Sequence, residues 1–182
     1  MRNLRRLIEA AAWILPLTIV APLLADEPAA PPPPHIRPLS ADARDLVDSG
    51  VTRSELIRQL IEHLEASDLA VYVDFGWLMA GRGGQLSFIT SVGGIRYVMI
   101  QIARGLIEPD QLATLGHELR HAVEIADTTA VVDRASFVHH YARIGFDTGR
   151  GVSRMYETDA AVEAGRYVRR ELAGPVVSSR DR

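Results

Sequence analysis

Apolar and polar positions change period several times along this chain, and each change marks an element. Ser40 is a favourable N-cap and Gly50 a favourable stop, so a short helix is predicted between them. Thr52 and Glu55 form a Thr-x-x-Glu capping box. The helix it opens reaches about Ala66, with Leu56, Leu60 and Leu64 on one face. Leu69 to Phe75 alternates and is rich in β-branched and aromatic residues, the pattern of a strand. Gly76 to Gly84 reads as loop. Two further strands are expected at Gln85 to Val92 and Ile95 to Ala103, joined by the hairpin signal Gly93-Gly94. The apolar run Tyr97 to Ile102 reads as a buried strand or as an edge strand. Pro109 and Asp110 suit the first turn of a helix running to about Ala126. Asp133 caps another that ends near Gly145, and residues 146–153 are loop. A last helix spans about Tyr156 to Ala173 and stops at Gly174-Pro175. The order predicts an α+β fold, a small antiparallel sheet packed with helices.

The N-terminus has a different pattern. Arg2, Arg5 and Arg6 precede an apolar run, Ala10 to Ala25, broken by Pro16 and Pro22. A spanning helix needs about 20 apolar residues. The shorter run, with basic residues only before it, predicts a signal peptide over residues 1–25, or an uncleaved N-terminal membrane anchor. Either implies export to a periplasmic or extracellular site. Residues 26–38, with four consecutive prolines, read as a stiff linker unable to form helix or a central strand. The folded unit is then expected at residues 39–174, followed by a frayed polar tail at 175–182.

Composition narrows the chemistry. The 182 residues are 47% apolar and 24% charged, as in a folding globular chain. Cysteine is absent, which excludes disulfides, thiolate metal sites and a thiol nucleophile. Lysine is absent too, which excludes Schiff-base chemistry. The net charge of −3, or −5 once residues 1–25 are removed, gives no footprint for nucleic acid.

One segment carries chemistry. Residues 116–124 read Gly-His-Glu-Leu-Arg-His-Ala-Val-Glu, and His117, Glu118 and His121 match H-E-x-x-H. On a helix, positions four apart share a face, so two imidazoles reach one zinc ion. Glu118 sits beside them and serves as general base toward a water activated by the metal. Leu112, Leu115, Leu119 and Ala122 provide a separate apolar face for burial.

LGHELRHAVE, on a helix after the predicted hairpin, resembles the active-site helix of the zincin metallopeptidases. The resemblance covers about residues 86–172 and implies a third protein ligand. In the metzincin pattern that ligand falls at Asp127, but Glu124 stands where those proteins have a turn glycine. In the gluzincin pattern it is a glutamate on a later helix followed by small residues. Tyr156-Glu157-Thr158-Asp159-Ala160-Ala161 fits this, with Glu157 as ligand and Ala160, Ala161 and Ala164 permitting close helix packing. Asp159 is the neighbouring alternative, or an acceptor for a ligand imidazole. The resemblance is to minimal gluzincins and implies a zinc metallopeptidase acting on a peptide or protein substrate.

Other polar residues carry less. Tyr141 and Tyr156 are candidate donors to a developing oxyanion, or packed rings with wet hydroxyls. His139 and His140 read as surface or capping residues, and His35 and His63 as exposed. Two other readings remain: a zinc-binding structural or interaction protein with little turnover, and a metal-free module whose HExxH is accidental. Oligomeric state and substrate are not legible.

Overall fold

The computed structural model describes residues 33–149 and 155–174. The expected signal or anchor, the first part of the linker and the tail lie outside the described residues. The end of the linker is structured: Ile36–Pro38 forms strand β1 and pairs in parallel with β2, Leu69–Gly76, in register Ile36↔Val71. Proline is tolerated there because β1 is an edge strand. The ordered fold therefore begins before residue 39. Glu65 accepts from the backbone N–H groups of His35 and Ile36 at 2.9 and 3.0 Å, which ties the strand to the second helix.

Helix α1, Ala41–Arg53, starts at the predicted cap, with the Ser40 side chain accepting from the Ala43 N–H. It runs through Gly50 instead of stopping. Gly50 is a packing contact: a Cβ there would lie 3.1 Å from the Ile57 side chain. Ser54, not Thr52, caps α2, Glu55–Glu65, with its hydroxyl accepting from the Ile57 N–H at 3.1 Å. The Thr52–Glu55 box is therefore not used, because Thr52 Oγ1 donates back to the Asp48 carbonyl at 2.8 Å.

The hairpin is as expected. β3, Gly84–Val92, and β4, Ile95–Ala103, are antiparallel, with Gly93 and Gly94 at φ of 60° and 80°. Those angles suit a turn that only glycine adopts without strain. The sheet as a whole is mixed rather than antiparallel. Its order is β1-β2-β4-β3, and β4 runs parallel to β2 in register Val71↔Val98. β4 is thus central, and β3 holds the edge. The central pair is strongly apolar: Val71, Val73, Val98, Ile100 and Ile102 are fully buried, as parallel strands under helices require.

Helix α3, Glu108–Ala126, lies against this sheet, with Leu112, Leu115, Leu119, Ala122 and Ile125 wholly buried. Its C-terminal carbonyls are not left bare. The buried Arg96 side chain on β4 donates to Ile125 O at 2.8 Å and to Asp68 Oδ2 at 2.9 Å, locking helix to sheet. Helix α4, Arg134–Ile144, has the predicted Asp133 cap and ends at Gly145. β5, Phe146–Asp147, then pairs with β6, Tyr156–Glu157, inside segments read as loop and helix. The last helix, α5, spans Asp159–Ala173 with Thr158 as its cap. It packs on α3 through buried Ala161, Ala164, Gly165 and Val168, while Ala160 faces outward. The layout is α+β. No helix among the described residues is long and apolar enough to cross a membrane.

Candidate metal centre

α3 has an apolar face committed to the sheet, which turns His117 and His121 toward α5 and β6. Their rings stand edge to face, with centroids 4.9 Å apart. Glu157 meets them from β6: its Oε2 is 3.0 Å from His117 Nε2 and 4.0 Å from His121 Nε2. One ligand atom from each residue lies within 4.8 Å of the others, so the three form a group that could hold a metal ion. The sequence brought these residues into view, but it misplaced the element carrying the glutamate. Tyr156 and Glu157 are drawn into strand pairing with β5, and the helix starts only after the Thr158 hydroxyl accepts from the Ala161 N–H.

The expected alternatives stand elsewhere. Asp127 ends α3 and pairs with His63 at 2.8 Å, half-exposed. Asp159 is exposed in the first turn of α5 and takes no part in the group; nor is it the acceptor for an imidazole. That acceptor is Glu124, a residue sequence reasoning noted only for displacing a glycine. Its Oε2 lies 2.9 Å from His121 Nδ1 and its Oε1 accepts from Thr158 Oγ1 at 2.6 Å. The spacing that could have found it is i to i+3 from His121, one turn along the same face. Glu124 fixes the tautomer with hydrogen on Nδ1 and leaves the Nε2 lone pair toward Glu157. Thr158 therefore caps α5 and anchors the acceptor with one hydroxyl. Tyr141 completes the support: its buried hydroxyl donates to the His121 carbonyl at 2.8 Å. That bond commits it to structure rather than to an oxyanion. Tyr156 lines the cleft beside Glu157. His139 is exposed, whereas His140 is buried against Tyr141 and His35 is half-buried against the Leu64 carbonyl.

Charge is dense here. Burial pushes the Glu118 carboxyl up to about 7, against the downward pull of His117 and His121. For Glu157 and Glu124, burial works upward, but hydrogen bonds with the histidines, and with Thr158 for Glu124, hold both below the ordinary glutamate value. Burial pulls His117 down, and the Glu157 hydrogen bond with the surrounding carboxylates leaves it raised. Glu118 is buried without facing away from the site. It lines two lobes of one cleft, about 680 Å³ and about 560 Å³, which also share Glu157. Gly84 makes this placement possible, since a Cβ there would sit 2.5 Å from Glu118 Oε1.

Loss of the Glu124 acceptor should weaken metal binding without abolishing it. Glu124→Ala is expected to lower affinity by about 10–100-fold, read by competitive titration with a divalent cation.

No family model, curated protein or solved structure matches the chain.

Proposed function

We propose that this protein is an exported zinc metallopeptidase of the gluzincin type. The observation that carries the reading is the convergence of His117, His121 and Glu157 at a cleft where Glu118 stands buried beside them. The donor set suits zinc. Bonds of about 2.0–2.2 Å at tetrahedral angles separate ligand atoms by about 3.3–3.6 Å. The 3.0 and 4.0 Å separations from Glu157 to the two imidazoles bracket that range. Two neutral imidazoles and one carboxylate leave a fourth position for water or substrate, as catalytic sites require.

What zinc supplies when bound is Lewis acidity toward a carbonyl and toward water. The chain's own residues do the rest. Glu124 and Thr158 hold the His121 ring, and the β5–β6 pair holds Glu157. Glu118 accepts a proton from the attacking water and delivers it to the leaving amine, a role suited to a carboxyl whose affinity for protons is raised toward neutrality. The wall at Gly84 keeps that carboxyl close to the reacting centre.

The test is turnover of a broad peptide mixture by the zinc-loaded protein. Cleavage is expected, lost on chelation and restored by zinc. Stoichiometric zinc held with no peptide cleaved would instead make this a structural zinc-binding protein.

A further inference from the structure

The cleft carries a charge pattern that metal binding does not require. The chain is acidic overall, at −3, yet among the described residues Glu118 and Glu157 are the acids lining either lobe. Both are occupied with the site itself. Against them stand arginines: Arg82 where the lobes join, Arg166 and Arg169 in the larger lobe, and Arg134 in the smaller. Arg169 is tied to Asp110. Arg82 and Arg166 form no salt bridge among the described residues. The Arg82 guanidinium meets the side-chain oxygen of Gln85 and the sulfur of Met155, and its Nε is buried with no hydrogen-bond partner among the described residues. A guanidinium that lines a cleft without a carboxylate paired to it is placed to meet an anionic group of a ligand.

The two lobes also differ in texture. The larger, on the His117 side, is walled by small residues such as Gly81, Gly83 and Gly165, which leave the arginines reachable. The smaller, on the His121 side, is walled by Leu86, Phe88, Phe137 and Val138. Phe88 and Phe137 lie 6.3 Å apart, and Phe137 packs at 5.0 Å on Tyr141, so this wall is a continuous aromatic surface.

We propose that the cleft selects peptides with a carboxylate on the His117 side of the scissile bond and a large apolar side chain on the His121 side. This specificity rests on the metallopeptidase reading. A guanidinium binds carboxylate through two parallel N–H donors, which neither an amide nor a cation in the substrate can answer. The carboxylate belongs either to an acidic side chain or to a free C-terminus.

Fluorogenic peptides of one parent sequence test it. One set carries Glu, Gln or Arg beside the scissile bond with the C-terminus amidated. A second carries Gln with the C-terminus free or amidated. Each is made with Leu or Ala across the bond. A carboxylate in either position is expected to raise kcat/KM about tenfold over Gln with an amidated end, and Leu to exceed Ala. Preference in the first set assigns an acidic side chain, and preference in the second a C-terminal carboxylate. Arg82→Gln and Arg166→Gln should each shrink the carboxylate preference severalfold, while Arg170→Gln, exposed and paired with Glu163, should leave it intact. The same peptides are titrated by fluorescence anisotropy against zinc-loaded Glu118→Gln protein, so binding is read without turnover. The absence of any carboxylate preference in both peptide sets, in turnover and in binding alike, overturns the proposal. If no peptide is cut by the wild-type protein, the metallopeptidase reading fails, and the binding assay alone decides whether the cleft prefers carboxylates.

Discussion

Glu118→Gln is expected to keep its zinc and to lose at least ~10²-fold in peptide turnover, the lower end for a removed general base. Glutamine preserves the length and shape of the side chain but has no site that takes a proton at neutral pH. The position is 5% exposed, and the side chain lies close against Gly84. The amide therefore occupies the carboxylate's volume, and the His117–His121–Glu157 group, which lacks Glu118, is left whole. Removing a buried carboxyl whose proton affinity is raised by burial also removes a desolvation cost, so the fold should be no less stable. Metal analysis and circular dichroism of the variant separate lost chemistry from lost structure. Wild-type turnover in Glu118→Gln, with zinc bound, would remove Glu118 from the mechanism.

The parts of the site legible in the sequence are those that one element encodes. His117, Glu118 and His121 share a helix, so the helical period alone brings the imidazoles together, and the apolar positions between them say which way that face points. Glu124 was equally accessible, one turn from His121, but its role depends on Thr158, 34 residues away. Glu157 could be named as a residue and not placed in an element. Its immediate neighbours favour a helix start, and strand pairing with Phe146 overrides them. The sheet repeats the lesson. Gly93-Gly94 encodes the β3–β4 hairpin locally. Nothing local says that β2 docks on the β4 side of that hairpin, and this choice makes the sheet mixed. Arg82 and Arg166 are far apart in the chain and share a cleft only through the packing of α5 on α3.

Zinc binding by single variants tests the proposed gluzincin pattern against its metzincin alternative. In competitive zinc titrations, His121→Ala should bind no zinc at any affinity the wild type shows. Glu157→Ala should weaken binding by at least ~10²-fold, more than loss of a supporting residue costs. Asp127→Ala and Asp159→Ala should match the wild type. The asymmetry follows from position. Glu157 Oε2 sits within 4.0 Å of both ring nitrogens, whereas Asp127 is committed to His63 at the far end of α3. To reach the metal, Asp127 would need the chain to turn back after His121. Glu124 occupies that stretch in helical conformation, held there by Thr158 and His121 together. Zinc affinity unchanged in Glu157→Ala and lost in Asp127→Ala would require that turn, and with it the unwinding of the last helical turn that Arg96 caps.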